Sequence, residues 1–307
     1  MIRRMFYRLT QSVVTLLGVS LLVFFITHAI PADPVAAVAG PHADKETRER
    51  IRKELGLSDP LWQQYGRYVW HVLQGDLGKS FVTGERVTDA ILTRFPSTLA
   101  VSVGGVAIWL LVGVPLGVLT AKYRDKPIDR ITLVLAMIAI SLPTFWLGRL
   151  LQYQIAYRDG ILPVAGFTNW WCLILPSLTL GVAGAGYYAR LVHSNMLEVL
   201  NQDYIRAARA RGLSEPVVLF KHALRNALIP VLTVLGMDVA GLLAGVVFTE
   251  SIFALPGLGS LALQAVRNLD VPMIMGTVLF SAVLVVGANI IVDAIYRLVD
   301  PRIQQTA

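Results

Sequence analysis

Residues Ser194 to Asn226 read SNMLEVLNQDYIRAARARGLSEPVVLFKHALRN, the longest polar interruption in the otherwise apolar C-terminal two-thirds of the chain. The pattern predicts two short helices. Asp203 is placed to cap the first, and Gly212 stands where a helix C-terminus favours glycine. Ser214 is placed to cap the second, with Pro216 tolerated in its first turn. In the first helix Tyr204, Ala207, Ala208 and Arg211 fall at i, i+3, i+4 and i+7, so they are expected to share one face. Small residues beside a tyrosine and arginines make a surface that another protein can approach closely.

The sequence on either side explains why such a surface interrupts apolar runs. Of 307 residues, 55% are hydrophobic and only 15% charged, against about 25% charged in an ordinary soluble domain. One soluble core cannot hide that excess, so the chain reads as a polytopic membrane protein. The predicted spans are Val13 to Ile30, Leu99 to Thr120, Ile131 to Leu151, Leu173 to Ala189, Ala227 to Phe248 and Met273 to Ile295. Pro143 is expected to kink the third. Gly113-x-x-x-Gly117 and Gly241-x-x-x-Gly245 are expected to let helices approach closely. Ala37-Val38-Ala39 resembles a signal cleavage site, but the preceding apolar run is long for a signal and is read as an anchor. Residues 31–96 carry nine basic and nine acidic residues. They form a predicted subdomain with an exposed helix from Lys45 to Gly56. A second, amphipathic helix carries Trp62, Tyr65, Tyr68, Val69 and Trp70 near the lipid headgroups.

Basic residues set the topology. Fifteen Lys and Arg fall on one side: Arg3, Arg4 and Arg8, then Lys122, Arg124, Lys126 and Arg130, then six within 190–225, then Arg297 and Arg302. The other side's short loops hold Arg158 and Arg267, with Arg149 at the border. The positive-inside rule puts both termini and Ser194 to Asn226 in the cytoplasm of a prokaryotic cell, across its inner membrane. The net charge of +7 is therefore a topology signal and not a nucleic-acid footprint.

Catalytic chemistry is not legible. The single cysteine, Cys172, excludes an intrachain disulfide, and the five histidines lack metal-ligand spacing. Gly78-Lys79-Ser80 would be a phosphate loop only with glycine five positions before Gly78, where Leu73 stands. Asp238 is the one acid deep within a span, and Arg149 lies near a span end. Each could contact a substrate path, Asp238 could equally bridge helices, and Arg149 could snorkel to the interface. A self-sufficient secondary transporter using Asp238 and a non-transporting scaffold are alternative readings.

Asp203-Tyr-Ile-Arg-Ala-Ala-Arg-Ala-Arg-Gly212-Leu-Ser, followed by Lys221-His-Ala-Leu-Arg-Asn226 and Pro230, resembles the cytoplasmic coupling segment of binding-protein-dependent ABC importer permeases, in the dipeptide/oligopeptide/nickel branch. Leu55-Gly-Leu-Ser-Asp-Pro60, Gly75-Asp-Leu-Gly78, Ile174-Leu-Pro-Ser-Leu178, Glu250-x-x-Phe253-x-x-Pro-Gly-Leu-Gly259, Val292-Asp293 and Asp300-Pro-Arg302 extend the likeness over nearly the whole chain. Arg206 stands where the wider family carries an acid. The resemblance implies an all-α integral membrane protein with six transmembrane helices and the type I importer permease fold. Its parts would be 1–30, a periplasmic insertion 31–96, the transmembrane domain 97–300 with coupling segment 194–226, and a tail 301–307. It implies a second homologous permease subunit, two cytoplasmic ATPase subunits carrying ATP and magnesium, and a periplasmic substrate-binding protein, with no cofactor on this chain. Asp203, Tyr204, Arg206, Ala207, Ala208, Arg211 and Gly212 would couple to the ATPase. Glu250, Phe253, Pro256, Gly257 and Gly259 would lie at a periplasmic gate or binding-protein contact.

Overall fold

The computed structural model describes residues 2–29, 35, 39, 43–54 and 56–299. Most of the cleavage-like Ala37–Ala39 stretch, the Asp300–Arg302 motif and the tail lie outside the described residues. Those that are described are mostly helical, with one isolated bridge, Lys79 to Arg86, and no strand.

Helix α1, Ile2–Ala29, carries the apolar window Thr10–Thr27. Helix α2, Lys45–Glu54, ends at Gly56 in the left-handed region, as the sequence predicts. Helix α3, Leu61–Leu73, packs against α1 through Tyr65. The Tyr65 hydroxyl meets Ser20 Oγ at 2.9 Å, and its ring packs edge-on against Phe24. Ser20 is seven residues inside Thr27, about 10 Å along the span, so α3 lies against the span's flank. Its Leu61, Trp62, Trp70 and Leu73 stay exposed.

Helix α4 runs unbroken over 36 residues, Val87–Lys122. It starts well before the expected boundary at 96/97 and holds Pro96 in its interior. Pro115 has no N–H to donate and crowds the preceding turn. The helix accommodates it by widening into a π-turn at Trp109–Gly113. Gly113 and Gly117 then press against helix α7, Ile174–Leu200. A Cβ on Gly117 would lie 2.6 Å from both the Ala189 carbonyl oxygen and Val192 Cβ. Gly117→Val is therefore expected to cost about 1–3 kcal/mol by overpacking. A lower thermal midpoint of the detergent-purified protein checks this, and an unchanged midpoint would contradict the packing described.

The third predicted span is not a kinked helix but two: α5, Pro127–Ser141, and α6, Thr144–Arg158, meet at 97°. Proline disfavours helical geometry in the residue before it, and Leu142 and Pro143 are both extended, with ψ of 125° and 126°. Helix also persists to Arg158, into the expected loop. With this broken pair counted once, six elements among the described residues are long and apolar enough to span a membrane.

Helix α7 is the central post, reaching 11 residues beyond the predicted end at Ala189. Gly181 meets Ile108, Gly184 lies under the Trp109 indole, and Gly186 abuts the Ala136 carbonyl, so α4 and α5 both close onto its glycine faces. A short helix α8, Asp203–Ala210, follows, then α9, Val217–Leu243. The second expected short helix is absent as a separate element, because 217–223 runs directly into the span as a π-helical segment. Gly241 and Gly245 do not form a packing pair. A Cβ on Gly241 meets nothing within 4 Å, and Gly245, at φ +123°, turns the chain out of α9. Helices α10, Val247–Ile252, and α11, Leu258–Arg267, fold back against α4 and α6 before α12, Val271–Val299.

Candidate functional site

Helix α8 hangs at the arginine-rich end of the bundle. Asp203 is its first residue and not its cap; Gln202 takes the capping position in extended geometry. The Asp203 carboxylate instead pairs with Arg206 one turn on, where an acid also favours the helix dipole. Termination follows the expected glycine rule. Gly212 sits at φ +78° and its N–H donates to the Arg209 carbonyl at 2.9 Å, while Leu213 N–H reaches Ala208 at 3.4 Å. These two bonds satisfy carbonyls that the last turn leaves open.

The predicted four-residue face is split. Ile205 is fully buried and Ala208 is 8% exposed; both join the cluster containing Met196, Val218 and Leu219. Tyr204, Ala207 and Arg211 remain exposed, with Asp203 and Arg206 beside them. Ala208 is thus an anchor, because the i, i+3 pair Ile205–Ala208 is the apolar stripe of an otherwise polar helix. Two contacts fix α8 further. Asn226 Nδ2 donates to the Tyr204 hydroxyl at 2.6 Å. Arg209 donates to both Glu215 oxygens at 3.2 and 2.7 Å, holding that carboxyl below its usual range.

At the same end Asp129, 5% exposed, accepts from the Asp125 N–H through Oδ2 at 2.9 Å. Its Oδ1 lies 3.6 Å from His193 Nδ1, and that nitrogen is 3.0 Å from Thr120 Oγ1. This polar knot staples the α4–α5 connection to α7. Its members lie up to 73 residues apart and share no local motif.

The opposite end holds Glu250, fully buried. Its Oε1 accepts from Thr98 Oγ1 at 2.6 Å and its Oε2 from the Ser260 N–H at 2.7 Å. Thr98 Oγ1 in turn accepts from the Leu258 N–H at 2.8 Å. A Cβ on Gly257 would fall 2.2 Å from the carboxylate, and one on Gly259 2.8 Å from Val247 N. Phe253 is 1% exposed, so of the five residues expected at a gate or binding-protein contact only Pro256 is exposed. Glu250, Phe253, Gly257 and Gly259 instead latch α10 and α11 onto α4. Burial pushes the Glu250 carboxyl up from its ordinary value, against the hydrogen bonds from Thr98, Ser260 and Gly259. A second latch went unread in the sequence: Ser80 Oγ and the Phe81 N–H both donate to Asp270, directly before α12. Its one local signal is an acid placed to open the helix beginning at Val271.

Asp238 and Arg149 are not brought together. Arg149 lies beyond the 97° break, exposed, donating to Gln152 Oε1 at 2.9 Å. Gln152 ties that turn to the carbonyls of Val164 and Ile252. Asp238 is half-buried on α9 and accepts from the Tyr188 hydroxyl of α7 at 2.8 Å. Among the described residues no group of three or more His, Cys, Asp or Glu could hold a metal ion.

Residues 113–305 match the family described as binding-protein-dependent transport system inner membrane component. Residues 1–102 match the N-terminal family of the same membrane components. A chain of Brucella abortus (strain 2308), provisionally named a peptide transport system permease protein, is 42% identical over 305 residues, covering 97% of both chains. The glutathione transport system permease protein GsiC of Salmonella paratyphi A is 41% identical over 297 residues, again covering 97% of both. Among solved structures, one of the inward-facing MetNI methionine ABC transporter aligns with a TM-score of 0.58 at 23% identity, over 68% of this chain and 95% of that one. At that identity the likeness concerns the fold.

Proposed function

The chain belongs to the family of binding-protein-dependent transport system inner membrane components, and from that membership we propose that it carries short peptides or peptide-like thiols such as glutathione. It is a permease subunit of an ABC importer and forms part of the membrane pathway. In the proposed assembly a second homologous permease completes the pathway, two ATPase subunits bind ATP and magnesium on the cytoplasmic side, and a periplasmic protein delivers the solute. Both termini and α8 face the cytoplasm, in keeping with the arginine count. The matching relatives at 41–42% identity support the cargo class.

The observation that carries the coupling role is the geometry of α8. Ile205 and Ala208 fasten it to the span cluster, and Tyr204, Ala207 and Arg211 stay open to a partner. A groove on an ATPase that receives this open side can pull on α7 and α9 together. ATP-driven closure then becomes a rigid-body shift between two accessible states. Gly212 serves by permitting the exit turn.

Cysteine scanning tests this in membranes that hold the complete importer. Ala207→Cys is expected to cross-link efficiently to a cysteine in the ATPase groove, and Ala208→Cys at most weakly, since its side chain points into the bundle. Equal cross-linking at both positions would contradict the geometry. Uptake of labelled dipeptide or glutathione should require ATP and the binding protein. Uptake driven by a proton gradient in proteoliposomes containing this chain alone would reinstate Asp238-based secondary transport.

A further inference from the structure

Helices α7 and α9, joined by the Tyr188–Asp238 hydrogen bond, leave a stripe of open surface on either side of it within their apolar span segments. On α7 it shows Tyr187, 43% exposed, and Arg190; on α9 it shows Met237, 56% exposed, and Gly241. A Cβ at Gly241 would meet nothing within 4 Å, so the stripe is open there. Asp238 stands inside it, five residues from the end of α9, about 7.5 Å along the helix. Ionisable groups at such depth face a bundle interior or a water-filled path, because exposure to lipid costs several kcal/mol.

The carboxylate is held and left half free. Its Oδ2 accepts from Tyr188, which is fully buried and stacked on Trp109 at 5.4 Å between ring centroids. Tyr188 is therefore an immobile donor that fixes the carboxylate's direction. Oδ1 accepts no hydrogen bond from any described residue, and it is not sealed off from the surface. No lysine or arginine of the described chain forms an ion pair with it. The ring of Tyr187 lies 5.5 Å from that of Tyr188, edge to face, and is itself open to the stripe. One free carboxylate oxygen and an adjacent open aromatic face are what an ammonium group needs: an ionic acceptor and a cation–π surface.

We propose that Asp238, oriented by Tyr188 and flanked by Tyr187, is a binding station for the positively charged amino group of the solute as it crosses the membrane. The inference rests on the peptide reading above and adds a specificity element to it.

The test is a selectivity ratio in proteoliposomes containing the complete importer and its binding protein. Uptake is measured for a dipeptide and for its desamino analogue, each normalised to the ATP hydrolysed. The wild type is expected to favour the free amine. Asp238→Asn should lower the ratio of free-amine to desamino uptake about tenfold, a difference of about 1.4 kcal/mol. Asp238→Glu, which retains the charge, should restore most of it. A ratio unchanged in Asp238→Asn, or an equal fall for both solutes, overturns the proposal and leaves a purely structural contact to Tyr188. Transport of neither solute by the wild type overturns the peptide reading itself, and the station with it.

Discussion

Glu250→Ala is expected to destabilise the protein by about 2–6 kcal/mol, since each of two buried donors left unsatisfied costs about 1–3 kcal/mol. The loss leaves the Thr98 hydroxyl and the Ser260 N–H without their acceptor, in a site with no exposure to water. Glu250→Gln should cost less. Its amide oxygen can still accept from Thr98, while its NH₂ opposes the Ser260 N–H donor. Thermal unfolding in detergent should therefore rank wild type above Gln above Ala, and equal midpoints would contradict the latch. The pH dependence follows from the raised carboxyl. A carboxyl raised on folding holds its proton more tightly in the folded protein. Its contribution is complete below the ordinary carboxylate pKa and is lost as pH climbs through the higher folded value. The Gln variant should lack that slope.

Gly212→Val is the second large effect, and it should spare the fold. At φ +78° a β-branched residue is strained, yet a Cβ there would meet nothing within 4 Å. The penalty thus falls on the turn that aims α8 and not on core packing. Peptide uptake by the complete importer should drop at least about tenfold while membrane insertion and the thermal midpoint stay near wild type, since strain of roughly 1–2 kcal/mol is enough to depopulate the docked geometry. Gly212→Asn should lose much less, because asparagine tolerates the left-handed region. Equal losses for Val and Asn would mean that the turn's backbone is not what matters.

These two sites differ in how far the sequence alone revealed them. Gly212 was legible because helix termination is local: one glycine, two residues and a reversed backbone angle. The spans were legible for a similar reason, since a run of apolar residues advertises itself wherever it lies. Direction was not. Pro143 marks where the helix breaks, but the 97° direction, which sets Gly148 against Thr179 and Phe253 across the bundle, is not written in the local sequence. The burial of Ala208 depends on Met196 and Val218 arriving from two other helices. Glu250 was expected at a gate or binding-protein contact, and its burial was not legible because its partner Thr98 lies 152 residues away. Gly241 and Gly245 matched a packing motif by spacing alone, while the backbone at Gly245 was needed for a turn. What periodicity reports is which faces are apolar; which neighbour covers them is a property of the tertiary fold.

The continuity of 217–243 has a mechanical consequence. Had the segment after α8 been a separate short helix, a flexible joint would absorb motion before it reached the membrane. Instead α9 is one rod of 27 residues, about 40 Å long. Its foot is tied to α8 through Asn226 and Tyr204, and its head ends at Gly245 against Gly259 of the latch. A tilt of roughly 10° about the foot would carry the head about 7 Å, the scale of rigid-body switching. The rod is a lever with Asp238 near its long end, so a small stroke at the foot would be geared up at the proposed binding station.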